Sequence, residues 1–203
     1  MDTSHTNIQF DIVGTGKSYV LKKIIEDLQL RGKNFQITST SGRTAVLLGG
    51  LTIHRFLRIT PACCSLQDYV AEFRTKRTAH IFKNLDILII DEVGMLTSSL
   101  FDLISEILDY EREVGLPFGG VQVIMAGDFL QLGPVTKTND KSEIFHLSNW
   151  EGLKLKVHQF KRVVRQTDPE FVNILNKIRV GEINDPEVIF FLLRFCIICT
   201  FTV

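Results

Sequence analysis

The sequence has no net charge to speak of. Its 23 Lys and Arg balance 23 Asp and Glu, giving a formal charge of zero over 203 residues. A basic surface that binds nucleic acid through bulk charge is therefore excluded, and any such partner must be held by a local patch or by backbone contacts. Cysteine is scarce. Cys63 and Cys64 are adjacent, while Cys196 and Cys199 sit in an apolar tail, so no secreted disulfide framework is present and a reduced, intracellular compartment is expected. The polar start, Met1 to Asn7, has no apolar signal core. The longest apolar run, Val188 to Val203, is interrupted by Arg194 and falls short of the roughly 20 residues of a membrane span. It reads as a buried strand or helix, or as a sequence that has lost its proper continuation, and no membrane partner is expected. No repeat or low-complexity segment occurs, and no second domain is legible.

What is present is an alternation of strand and helix signals, which argues for an α/β fold with a parallel sheet. A short strand over Asn7 to Val13 runs into a glycine-rich turn. Lys17 to Leu30 carries Val20, Leu21, Ile24, Ile25 and Leu28 on one helical face, and Gly32 follows as a C-cap. Phe35 to Thr38, Leu85 to Ile90 and Val121 to Ala126 read as strands, the last two as buried central ones. Ser98 to Tyr110 has helical apolar spacing. Asp168-Pro169 is a helix start, with Phe171, Ile174, Leu175 and Ile178 as its apolar face and Gly181 as its end. Cys63 to Lys83, charged and weakly patterned, reads as loop plus surface helix.

Four segments carry chemistry. Gly14-Thr15-Gly16-Lys17-Ser18 lies between a strand and a helix. Glycines let backbone amides converge on phosphate oxygens, and the helix adds its positive end. In that reading Lys17 reaches the β- and γ-phosphates and Ser18 ligates Mg²⁺. The alternative is a glycine-rich turn that merely caps a helix. The full pattern G-x-x-x-x-G-K-[ST] places glycine where this chain has Asp11. A carboxylate there is expected to repel phosphate and strain the backbone, so Asp11→Gly should tighten nucleotide binding. Asp91-Glu92 ends a buried strand, where Asp91 suits a Mg²⁺ site and Glu92 suits polarising a water; a purely structural acidic strand end is the alternative. Gln131, past the next strand end, is in reach of a phosphate or water, or is a loop amide satisfied by backbone. Arg165 is either a transition-state cation or an exposed arginine before the Asp168 helix. A metal site from Cys196, Cys199, Cys63 and Cys64 has nothing to fix its geometry.

In this order, these segments resemble the petite-integration-frequency (Pif)/RecD-like DNA helicases of superfamily 1. The likeness runs through Gly14 to Ser18, Gly49-Gly50-Leu51-Thr52-Ile53-His54-Arg55-Phe56 and Ile90 to Leu96. It continues through Phe118 to Ile124, Gly127 to Leu132 and Arg165 to Phe171, and ends at Asn176 to Gly181, spanning roughly residues 10 to 190. The resemblance implies a three-layer, RecA-like P-loop NTPase domain over 1–187, the first lobe of a motor and shortened at its N-terminus, with 188–203 as an apolar tail or a truncated continuation. It implies ATP and Mg²⁺ as cofactors, single-stranded DNA as partner and 5′-to-3′ movement. It implies Lys17, Ser18, Asp91, Glu92, Gln131 and Arg165 as ATPase residues, and Thr40, Gly42, Thr52 and His54 as residues along the DNA track. A family motor has a second RecA-like lobe, which this sequence does not contain, so the expected activity is that of an incomplete motor. A nucleotide- or DNA-binding remnant without hydrolysis is the alternative. A GTPase is disfavoured because no Asn-Lys-x-Asp motif is present.

Overall fold

The computed structural model describes residues 7–11, 15–63, 65–134, 144, 153, 155–160, 163–164 and 166–191. Two compact units are distinguished. The first comprises residues 1–11 and 17–160, the second 12–16 and 161–203.

The first unit is built on a six-stranded parallel sheet ordered β3-β2-β4-β5-β1-β6. Its strands are β1 (Asn7–Asp11), β2 (Phe35–Ser39), β3 (Leu51–Thr52), β4 (Ile87–Asp91), β5 (Gln122–Gly127) and β6 (Lys156–Phe160). Helix α1 (Lys17–Leu30) matches the span read from its periodicity. Gly32 follows with φ +62°, a left-handed turn that favours glycine.

The central strands alternate, as a sheet covered on both faces requires. Ile87 and Ile89 of β4 and Ile124 and Ala126 of β5 pack with Leu21, Ile25 and Leu28 of α1. Leu88, Ile90, Val123 and Met125 point the other way. They meet α3 (Ile53–Leu57), α5 (Lys76–Lys83) and α6 (Ser98–Arg112), through residues such as Phe56, Phe82 and Ile104. The result is the expected three-layer α/β arrangement.

Segment 63–83 departs from the surface reading. It folds as α4 (Leu66–Asp68), a π-helical turn (Tyr69–Phe73) and α5, and both Tyr69 and Phe82 are fully buried. Its charged residues hide two aromatics that complete the layer beneath α6. Two short helices lay outside the periodicity signal: α2 (Gly42–Leu47), capped by the Ser41 hydroxyl, and α3, capped by the Thr52 hydroxyl.

In the second unit, α7 (Pro169–Arg179) starts where Asp168 accepts hydrogen bonds from the amides of Glu170 and Phe171. Gly181, with φ +82°, follows it. Lys177 bridges Asp185 (2.9 Å) and Glu187 (2.8 Å), tying α7 to the helical stretch 186–191. Val188 is buried there, and Phe171 packs on Phe191. The remainder of the tail read as strand or helix, 192–203, lies outside the described residues, as do Cys64, Cys196 and Cys199. Cys63 is buried. Among the described residues, no helix is long and apolar enough to cross a membrane.

Candidate functional site

A parallel sheet sends every strand's carboxyl end to the same edge, and ligands of α/β folds bind beyond that edge. Here the edge gathers Lys17 and Ser18 after β1, Thr40 and Gly42 after β2, Thr52 and His54 at the end of β3, Asp91 and Glu92 at the end of β4, and Gln131 after β5. Of the residues anticipated by sequence, Gly14 and Arg165 lie outside the described residues.

Lys17 opens α1 directly after Thr15 and Gly16. Gly16 has φ +99°, a backbone that favours glycine. The first turn of α1 holds no acidic residue, so the helix's positive end is uncompensated by its own side chains. Lys17 is half-buried and Ser18 exposed. Asp11 is the last residue of β1, in register with Phe160 of β6. That extended backbone suits any L-residue, so the strain expected at Asp11 is absent; its charge remains.

Asp91 is only 5% exposed. Burial, and then the neighbouring Glu92 carboxylate, push its pKa from 3.8 up to about 6, opposed by the Glu92 backbone amide and the Lys17 ammonium. Lys17, which follows β1, and Asp91, which ends β4, both belong to the carboxyl edge of the sheet. Glu92 adopts φ 56° and ψ 43°, a left-handed conformation uncommon for a residue with a side chain. A strained residue beside a buried carboxylate is a mark of a functional site. The end of β4 brings a buried carboxylate and a second one beside it, and Ser18, the other oxygen donor expected from the sequence, follows β1 at the same edge of the sheet. These hard oxygens suit Mg²⁺, and the mutual repulsion of the two carboxylates is what a cation relieves.

The acidic strand end is braced from two sides. From β2 and the residue that follows it, the Thr38 hydroxyl donates to the Ile89 carbonyl (2.7 Å), the Ser39 hydroxyl to that of Asp91 (3.3 Å) and the Thr40 hydroxyl to that of Glu92 (3.0 Å). From β5, the chain approaches so closely that two glycines are required. A Cβ on Gly94 would lie 2.6 Å from the Asp128 carbonyl oxygen, and one on Gly127 would lie 2.8 Å from the Val93 nitrogen.

Asp128 was not singled out by sequence. It is 4% exposed, and its carboxylate accepts from the Leu130 amide and from the Gln131 side-chain amide, each at 3.0 Å. Gln131 is thereby held with one amide hydrogen committed and its carbonyl oxygen turned away from the carboxylate. The residue type and place of Asp128, an acid one step beyond a buried strand, were the signal for it.

The DNA-track candidates occupy the far part of the same edge. Ser39 pairs in register with Thr52, which sets the loop after β2 beside the start of α3. The Thr52 hydroxyl is already engaged as the cap of α3, accepting from the Arg55 amide at 3.3 Å. His54 is half-buried, and burial holds its pKa below the usual 6.5. Gly42 heads α2 with open space where a Cβ would stand, so packing does not demand glycine there.

The model of the PIF1-like helicases matches residues 5–188. The chain belongs to the PIF1-like helicase family. It is similar to the ATP-dependent DNA helicase PIF7 of Trypanosoma brucei brucei, at 34% identity over 187 residues, covering 86% of this chain and 18% of that protein. It is 35% identical over 173 residues to human ATP-dependent DNA helicase PIF1, covering 85% of this chain and 27% of the human protein. Among solved structures, the Pif1 helicase from Candida albicans superposes with a TM-score of 0.80 at 30% identity, over 86% of this chain and 40% of that one. The Bacteroides Pif1 helicase in complex with ADP-AlF3 and ssDNA gives 0.78 at 31% identity, over 88% and 43%. The sheet and flanking helices are thus those of a RecA-like helicase domain. The chain spans less than a third of the length of the two curated PIF1-like relatives.

Proposed function

We propose that this chain is an ATP-binding lobe of a 5′-to-3′ DNA helicase, binding and hydrolysing ATP with Mg²⁺ and contacting single-stranded DNA along the carboxyl edge of its sheet. The observation that carries this reading is that Lys17, the buried Asp91 and the left-handed Glu92 all stand at one edge of the sheet. The family membership and the nucleotide and ssDNA bound to the Bacteroides relative support it. The presence of nucleic-acid relatives also favours an intracellular setting, nuclear or mitochondrial in a eukaryote.

The chain's own residues divide the work. The amides from Gly14 to Gly16 and the start of α1 cradle phosphate oxygens, and Lys17 adds a positive charge to the β- and γ-phosphates. Ser18 and Asp91 would hold Mg²⁺, which when bound supplies charge that neutralises phosphate oxygens. Glu92 takes a proton from the attacking water as the terminal phosphate bond to the β-phosphate oxygen breaks. Gln131, fixed by Asp128, offers its carbonyl oxygen to orient that water. Arg165 stabilises charge on the transferred group. Gly42, Thr52 and His54 line the DNA side; the small residue lets a strand come close, and the contacts position phosphates without reading bases.

A second reading, a nucleotide-binding module without turnover, is favoured by Asp11 in place of a glycine. DNA-stimulated ATP hydrolysis by the purified chain separates the two. Hydrolysis abolished by Lys17→Ala supports the enzyme; nucleotide binding without turnover supports the module; neither removes both. A second RecA-like lobe is expected to be needed for unwinding.

A further inference from the structure

Thr40 was expected, from the family resemblance, to contact DNA phosphates. Its hydrogen bonds point elsewhere. A threonine has two donors, its backbone N–H and its hydroxyl proton, and phosphate oxygens accept only. The Thr40 hydroxyl donates to the Glu92 carbonyl at 3.0 Å, and its amide donates to the Asp91 carbonyl at 3.4 Å. Both donors are therefore spent on the two residues proposed to carry the acidic chemistry, which lie far along the sequence on another element. Glu92 is the residue with left-handed φ and ψ of 56° and 43°. Such a conformation persists only where its surroundings over-determine it. The amide of Met95 also donates to the Glu92 carbonyl, at 3.1 Å. That bond belongs to the same short turn and moves with it, whereas Thr40 directly follows β2, a different element.

We infer that Thr40 is a positioning residue for Glu92, its hydroxyl fixing the left-handed backbone from which the Glu92 carboxylate reaches its working place. The inference rests on Glu92 having the role proposed above. A phosphate that took the Thr40 proton would have to break the bond to Glu92, so Thr40 does not serve as a standing DNA contact. Ser39, one residue earlier, reinforces the link by donating to the Asp91 carbonyl.

Two measurements on the full chain test this. Thr40→Val keeps the shape and removes the donor; Thr40→Ser keeps the donor. In NMR spectra, the Glu92 Cα and carbonyl shifts report its backbone directly. Thr40→Val is expected to shift them away from left-handed values and Thr40→Ser to leave them in place. At saturating single-stranded DNA and ATP, Thr40→Val is expected to lower kcat by about tenfold to a hundredfold, the size of effect that follows a misplaced reacting group. The KM for ATP and the affinity for an oligothymidylate should be unchanged, and Thr40→Ser should restore turnover. Unchanged Glu92 shifts in Thr40→Val overturn the inference, whatever the turnover. So does a loss of oligothymidylate affinity with kcat preserved at saturation, which marks Thr40 as a DNA contact. If the wild-type chain does not hydrolyse ATP, the proposed function fails, and the shifts still decide whether Thr40 holds Glu92.

Discussion

Asp91 is a buried carboxylate whose ionisation opposes folding. In the unfolded chain it ionises near 3.8, and in the fold near 6, because burial and Glu92 disfavour its charge. Between those values the folded state holds a proton that the unfolded state has released. Stability contributed by this group is therefore full below about pH 4, declines as pH rises through about 6, and stays low above it. Asp91→Asn is expected to stabilise the chain at pH 7.5 by on the order of 2 kcal/mol and to do nearly nothing at pH 4, as read from urea unfolding at each pH. The same variant should lose Mg²⁺-dependent hydrolysis. An equal gain at both values of pH would show that the carboxylate's titration is not the cause. Asp11 differs from Asp91 in that only its charge is unusual for its place. Its sequence position, measured against the phosphate-loop pattern, suggested strain, but a residue that closes a strand and pairs with β6 has an ordinary backbone, and only its charge bears on a phosphate.

The elements differ in how plainly the sequence announced them. Helix α1, the apolar runs of β4 and β5, and the Asp168 start of α7 are written in local periodicity and capping, so their spans and caps were close to those found. Helices α2 and α3 have only 6 and 5 residues, too few for a period to show, and are made by Ser41 and Thr52 capping their first turns. Strand β6 is an exposed edge, with Lys156, His158 and Gln159 among its residues, and gains its place by pairing with β1, which no local pattern encodes. The site divides likewise. Lys17, Asp91 and Gln131 were visible because each follows a strand signal, whereas the brace formed by Asp128 and the β2 hydroxyls depends on which strands become neighbours. Gly94 and Gly127 sit where two of these elements touch backbone to backbone. Gly94→Ala is expected to destabilise the chain by about 1–3 kcal/mol through the clash with the Asp128 carbonyl, and to lower hydrolysis more than nucleotide binding, because it pushes the turn after Glu92 away from the Gln131 loop. Thermal unfolding alongside a nucleotide titration checks this; a variant as stable as wild type would mean the contact gives way easily.

Across the whole molecule, the face of the sheet opposite α1 depends on a buried polar clasp. Glu111, 1% exposed on α6, accepts from the Tyr69 hydroxyl at 2.9 Å and from Arg74 at 2.8 Å. Arg74 is 42% exposed, so solvent weakens its share. Glu111→Ala strands the buried Tyr69 hydroxyl and opens a void; a loss of roughly 2–3 kcal/mol is expected in chemical denaturation. Pairing Glu111→Leu with Tyr69→Phe should recover most of it, because two unpaired polar groups are replaced by packed apolar ones. If the double variant is as weak as Glu111→Ala, the clasp is not what secures that layer. The strand order carries a consequence of its own. β5 stands between β1, which leads to Lys17, and β4, which ends in Asp91. One interposed strand separates the two by about 10 Å, twice the inter-strand spacing. Direct neighbours would have let ammonium and carboxylate collapse into an ion pair and cancel. With a spacer strand between β1 and β4, Lys17 is the smallest of the influences on Asp91, and burial of the carboxylate outweighs it.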